Sequence, residues 1–89
     1  MIAKNRYTVL VGKKIKELRL NAGYTTSKFA RLINCKSEQQ LYRYERGVNK
    51  IDLDTLVLAL KVLNVDVGLF FEQIDESVTQ ESTDCYIDI

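Results

Sequence analysis

Residues 37–47 read SEQQLYRYERG, and this stretch decides the fold prediction. Ser37 and Gln40 have the spacing of a capping box, in which each side chain binds the other residue's backbone N–H at the start of a helix. Gly47 is a typical residue just beyond a helix end. The segment therefore predicts a helix over residues 37–46.

The two sides of this helix differ in chemistry. At about 100° per residue, Leu41 and Tyr44 fall on one side. The opposite side is long and polar, and it carries Glu38, Gln39, Tyr42, Arg43 and Arg46. Gln and Arg match adenine and guanine edges in a major groove, and a carboxylate accepts from cytosine N4. An ordinary amphipathic surface helix has the same pattern, so this helix alone leaves both interpretations open.

Hydrophobic spacing on either side predicts four more helices. We expect them over about 8–22, 26–33, 52–63 and 67–71. Thr25, Asp52 and Asp66 have the residue types of N-caps. Five short helices with short connections predict a compact all-α domain over residues 1–73, followed by an acidic tail over 74–89.

The end of the tail has two alternative interpretations. Residues 77–84 are polar and acidic, which is typical of a flexible segment, whereas residues 85–89 read CYIDI and alternate like a strand. A lone strand lacks a partner in an all-helical domain. We therefore expect either a disordered end or a strand that is exchanged with a second subunit.

Charge is unevenly distributed along the 89 residues. Residues 1–71 hold all 13 basic and 6 acidic side chains, a net charge of +7, whereas residues 72–89 hold 6 acidic side chains and no basic ones. A basic body meets the electrostatic requirement for a polyanionic partner, because Lys and Arg that neutralise phosphates release counterions. A solvated surface explains the same charge about as well.

Several functional classes find no support in the composition. The chain has no His, and Cys35 and Cys85 lie too far apart for a zinc motif, so we expect Cys35 to fill a small apolar space. No nucleophile–base pair, Gly-rich phosphate loop, signal peptide or transmembrane segment is evident. We predict a cytoplasmic protein that is not an enzyme, with no metal, cofactor, membrane association or small-molecule effector.

Residues 18–46 resemble the Cro/C1 (XRE-type) helix-turn-helix family. The likeness includes LRxxxGYTTxxFAxxI at residues 18–33, the capped SEQQLYRYERG segment, and Leu53, Leu63 and Phe70-Phe71 further on. It covers residues 9–71 and implies a lambda-repressor-like domain. The second and third helices would form the turn motif, with the third in the major groove of DNA.

The resemblance also implies a role for individual residues. It assigns base reading to Glu38, Gln39 and Arg43, and base or phosphate contacts to Ser37, Gln40 and Tyr42. It assigns phosphate contacts to Thr26, Arg46 and Lys50, to which we add Lys36 as a replacement contact, and it assigns an internal ion pair to Arg19 and Glu45. For dimerisation we expect Leu69, Phe70, Phe71, Cys85, Ile87 and Ile89.

Two features depart from the family pattern. Thr26 stands where the family usually has a Gln that binds phosphate, and Lys36 makes the linker before the third helix one residue longer than the commonest form. The third helix also looks like that of the MrpJ-type regulators associated with fimbrial and motility genes, except at Glu38. A carboxylate there changes base preference and repels phosphate.

Three functional hypotheses follow. The leading one is a sequence-specific double-stranded DNA-binding transcriptional regulator that acts as a homodimer on half-sites about 10 base pairs apart. The second is an antitoxin that binds a toxin through its tail and represses its own operon. The third is a protein-interaction module that does not bind DNA.

Overall fold

The computed structural model describes the backbone of residues 6–81 and the side chains of residues 6–78. Five helices occupy this range: α1 (Arg6–Asn21), α2 (Thr26–Leu32), α3 (Glu38–Glu45), α4 (Leu53–Val62) and α5 (Val67–Glu81). No strand occurs between residues 6 and 81. The predicted all-α, five-helix architecture is confirmed.

The helix starts lie where local capping signals predict them. Thr25 accepts a hydrogen bond from the Lys28 N–H, and Asp52 accepts one from the Thr55 N–H. Asp66 caps α5 in the same way, because its Oδ1 accepts from the Leu69 N–H at 2.8 Å. Each bond satisfies one of the backbone donors that the first turn of a helix leaves free.

A single hydrophobic core joins all five helices. Its largest fully buried side chains are Ile15, Phe29, Ile33, Leu41, Leu60 and Phe70. The helix α1 packs against both α3 and α5, and α2 packs against α3. Ala22, just after α1, and Leu53, the first residue of α4, are exposed.

The close approach of α1 to α3 depends on Gly12, which is buried in the middle of α1. A Cβ atom at this position would overlap the backbone carbonyl oxygen of Tyr44. The absence of a side chain at Gly12 therefore allows the backbone of α1 to lie directly against the backbone at the end of α3, and it sets the distance between these two helices.

The fifth helix is much longer than the expected segment 67–71. It continues to Glu81, and the reason is a row of apolar residues at four-residue spacing: Phe70, Ile74 and Val78 are all buried. The boundary expected after Gln73 falls inside this helix. The tail from residue 82 onward, including Cys85, Ile87 and Ile89, lies outside the described residues.

The expectation that Phe70 contributes to a dimer surface is wrong for the folded chain. Its side chain is 1% exposed and belongs to the core. Leu69 and Phe71, its neighbours on α5, are exposed, and Phe71 meets the Phe70 ring edge to face at 5.4 Å. Only these two of the three α5 residues remain accessible to a second copy.

Replacing Asp52 with alanine is expected to lower the free energy of unfolding by about 1 kcal/mol at neutral pH, because α4 loses its N-cap. Hydrogen bonds from the Thr55 hydroxyl and N–H hold the pKa of Asp52 below its ordinary value. This stabilisation is therefore fully present above the pKa that Asp52 has in the unfolded chain, and it is lost as the pH falls through the lower pKa that Asp52 has in the folded chain. In denaturant unfolding, the difference in the free energy of unfolding between the unaltered chain and Asp52→Ala should become smaller in acid. A gap of constant size would contradict the assignment.

Candidate nucleic-acid interface

The segment between α2 and α3 forms a compact turn in which the backbone is held at several points. Asn34 adopts a left-handed conformation (φ 60°), and the Cys35 N–H donates to the Ala30 carbonyl at 2.8 Å. Cys35 packs partly buried against the core, as expected for a small filler. Burial, with smaller contributions from the charges of Asp52 and Glu45, raises the pKa of its thiol.

One face of α3 is open to solvent and rich in hydrogen-bonding groups. Gln39, Tyr42, Arg43 and Arg46 lie together and line one shallow depression at the surface. The opposite face, with Leu41 and Tyr44, is buried. The polar flank of α3 thus projects outward, which is the geometry that a groove-binding helix requires. Lys36 and Lys50, at either end of this face, are also exposed.

Gln40 is partly buried, and both polar atoms of its side chain bind other groups of the protein. Its Oε1 accepts from the Lys36 N–H at 2.7 Å, and its Nε2 donates to the Tyr44 hydroxyl at 3.3 Å. Ser37 Oγ accepts from the Gln40 N–H, so half of the predicted capping box is present. The other half is displaced by one residue, because the Gln40 side chain binds the N–H of Lys36 in place of that of Ser37.

The Gln40 contacts continue to the start of α4. The Tyr44 hydroxyl donates to Asp52 Oδ1 at 3.2 Å, and burial together with this bond raises the pKa of Tyr44. A continuous set of hydrogen bonds therefore runs from the linker through α3 to the N-cap of α4. Such a set restrains the rotation of α3 about its own axis, and with it the direction of the exposed side chains.

The first residues of α2 and α3 are joined by a direct contact. The Thr26 hydroxyl donates to Glu38 Oε1 at 2.7 Å. Sequence reasoning assigns these residues to phosphate and to base contacts separately, and a bond between them is not part of that expectation. Their residue types permit such a bond, but residues twelve positions apart give no local signal for it.

Arg19 and Glu45 form the ion pair that the family resemblance implies. Arg19 Nε lies 2.7 Å from Glu45 Oε2, and Arg19 Nη1 donates to the Tyr24 carbonyl at 2.8 Å. The residues are only 4% and 5% exposed. The pair therefore ties α1 to α3 and to the turn after α1, and it has a structural position away from the exposed face.

The arrangement is that of a helix-turn-helix: α2 supports α3 across a tight turn, and α3 exposes one polar face. A family model described as Helix-turn-helix matches residues 15–70, which contain both helices and the turn. The chain belongs to the Cro/C1-type helix-turn-helix family. The helix α3 is the second helix of this motif and the candidate recognition helix.

Two curated proteins illustrate this membership. An uncharacterized HTH-type transcriptional regulator of Rickettsia conorii is 37% identical over 67 residues, which are 75% of this chain and 53% of that protein. A second such regulator, of Rickettsia prowazekii, is 36% identical over 67 residues, 75% of this chain and 51% of its own length. The chain thus spans about half the length of these relatives. No solved structure shows a significant match.

Sequence reasoning missed the importance of Gly12 for this site. Its only signal was a glycine inside a strongly helical pattern, where glycine is usually unfavourable.

Among residues 6–81, no helix has the length and apolar character needed to cross a membrane. Within the same range, no group of three or more acidic or cysteine side chains is arranged to hold a metal ion.

Proposed function

We propose that this chain is a transcriptional regulator that binds double-stranded DNA at specific sequences. We further propose that it has no catalytic activity and acts in the cytoplasm. The observation that carries the proposal is the exposed row of Gln39, Arg43 and Arg46 on a helix whose other face is buried. Membership of the helix-turn-helix family and the names of the two Rickettsia relatives support it.

The roles of the exposed residues follow from their reach and chemistry. Gln39 lies in the first turn of α3 and Arg43 in its last turn, and both are exposed. Their side chains match adenine and guanine edges respectively. Lys36 and Lys50 flank the helix, and with Arg46 they are suited to phosphate oxygens. The hydrogen bonds of Gln40 and Ser37 within the protein support a positioning role for these two residues.

We infer that the DNA-bound form is a homodimer. One module of this size contacts few base pairs, so useful specificity requires two copies on half-sites about 10 base pairs apart or a multiple of that spacing. Leu69 and Phe71 are exposed apolar side chains on α5 that suit a contact between copies. A contribution from Cys85, Ile87 and Ile89 remains a prediction.

Selection of genomic fragments with the purified chain tests the proposed function. The expected result is enrichment of fragments that share an inverted repeat, with affinity that falls steeply as salt rises. Fragments that share only a single half-site would contradict the dimer. Binding that is equal for all DNA, or absent, would contradict the function itself.

Arg43→Ala is expected to weaken binding to the selected site by about 1–3 kcal/mol and to relax the preference at one base position. Lys50→Ala is the matched control at a phosphate-contacting position. It should weaken all sequences alike and reduce the salt slope by about one. Titration of each variant against the selected and a scrambled duplex measures both effects. An equal loss on both duplexes for Arg43→Ala would contradict its base-reading role.

The alternatives make different predictions. An antitoxin would co-purify with a basic partner protein, and a pure protein-interaction module would show no salt-dependent DNA binding.

Regulation of fimbrial or motility genes remains a prediction from the resemblance of the recognition helix to MrpJ-type regulators. The selected fragments would identify the target genes directly.

A further inference from the structure

The Thr26–Glu38 hydrogen bond lies at the start of the recognition helix. The Thr26 Oγ1 to Glu38 Oε1 distance is 2.7 Å, Thr26 is partly buried, and Glu38 is exposed. Each residue directly follows an N-cap, Thr25 and Ser37 respectively, whose side chain binds the first turn of its helix. The backbone on both sides is therefore fixed, and the bond restricts the rotamers that the Glu38 side chain can adopt.

The Thr26 hydroxyl has only one proton, and that proton is donated to Glu38. A phosphate oxygen accepts hydrogen bonds and offers none, so Thr26 cannot bind a phosphate while it holds the carboxylate. The negative charge of Glu38 beside it also opposes the approach of a phosphate. In this conformation Thr26 is unsuited to the phosphate contact that its place in the family pattern implies.

A carboxylate can accept hydrogen bonds and cannot donate them. In the major groove, guanine presents only acceptors and thymine presents an acceptor and a methyl group. Adenine presents the N6 donor beside the N7 acceptor, and the N7 lone pair repels a carboxylate. Cytosine presents the N4 donor without a neighbouring acceptor on the same base. The base that a Glu38 carboxylate favours is therefore cytosine.

We propose that Glu38 selects a cytosine in each half-site and that Thr26 is a positioning residue that holds the Glu38 carboxylate for this contact. The inference rests on the proposed function and deepens it, because it names the base that is read and the residue that orients the reader. The Glu38 oxygen bound by Thr26 fixes the side chain, and the second carboxylate oxygen remains able to accept from cytosine N4.

The test compares the full chain with Glu38→Gln, Thr26→Val and Thr26→Ser. Each protein is first used to select duplexes from a randomised library. Each is then titrated against four duplexes that differ only at the position whose preference changes most in Glu38→Gln. The readout is the ratio of affinities among the four duplexes, which a uniform change in affinity or a modest loss of stability does not alter.

We expect the unaltered chain to prefer cytosine at this position by at least about fivefold. Glu38→Gln should shift the preference to adenine, because an amide can donate to N7 and accept from N6. Thr26→Val has nearly the same shape without the hydroxyl, and it should reduce the cytosine preference at this position alone. Thr26→Ser, which keeps the hydroxyl, should restore the preference.

Three outcomes would contradict the inference in different ways. Specific binding by the unaltered chain with the same preferences in Glu38→Gln would overturn the base assignment. An equal loss on all four duplexes for Thr26→Val, with a salt slope lower by about one, would identify Thr26 as a phosphate ligand and overturn its positioning role. Failure of the unaltered chain to select any sequence would overturn the proposed function itself, and thus is distinguishable from the first two.

Discussion

Replacing Arg19 with alanine is expected to lower the free energy of unfolding by about 3–5 kcal/mol. The change leaves the Glu45 carboxylate, which is 5% exposed, without the guanidinium that lies 2.7 Å away. It also removes the donor to the Tyr24 carbonyl at the end of α1. Small domains are stable by about 5–15 kcal/mol, so much of the total would be lost. Denaturant unfolding followed by circular dichroism measures the effect.

Two further variants separate the cost of an unpaired charge from a general loss of packing. The double variant Arg19→Met, Glu45→Leu removes both charges and is expected to be more stable than Arg19→Ala, because no buried carboxylate remains unpaired. Arg31→Ala, at an exposed position on α2, should change stability by no more than about 0.5 kcal/mol. Equal effects of Arg19→Ala and Arg31→Ala would contradict a structural role for the pair.

Replacing Gly12 with alanine is expected to destabilise the domain by about 3 kcal/mol, although alanine normally stabilises a helix interior by about 1 kcal/mol relative to glycine. The new methyl group would overlap the Tyr44 carbonyl oxygen, which belongs to the backbone of α3. Relief requires α3 to move away from α1. The same change should therefore weaken specific DNA binding even in conditions where the variant is fully folded.

Gly68→Ala is the matched control for this prediction. Gly68 lies in the first turn of α5, and a Cβ atom there would meet only the side-chain oxygen of Asp66, at 3.2 Å. We expect a change in stability of less than about 1 kcal/mol and no change in DNA affinity. Thermal unfolding and titration with the selected duplex measure both variants. A stabilising effect of Gly12→Ala would show that the α1–α3 contact does not depend on this glycine.

Elements with local signals were predicted well, and α5 shows where such signals become insufficient. Thr25, Ser37, Asp52 and Asp66 each cap a helix, because a cap joins atoms only two or three residues apart. The length of α5 was underestimated. Its exposed Glu72, Gln73, Asp75 and Glu76 resemble a solvated tail, and the buried row that includes Ile74 and Val78 becomes decisive only when α1 is present to cover it.

In the candidate site, too, some features were predicted from local sequence and others were not. The residue pattern alone indicated that Gln39 and Arg43 lie on the side of α3 opposite Leu41, because the helical period fixes which side chains share a face. The pattern did not reveal that Gln40, on the same helix, is engaged internally. Its partners are the backbone of Lys36 in the linker before α3 and the hydroxyl of Tyr44, which in turn donates to Asp52.

The sequence by itself determined where four of the helices begin and which face of α3 is polar, because both depend on residues within a few positions of one another. Only the tertiary structure decided that Phe70 is in the core, that Gly12 allows α3 to pack closely against α1, and that Thr26 donates a hydrogen bond to Glu38. These contacts join helices that are distant in sequence. Their geometry depends on how the helices pack together, which no local pattern specifies.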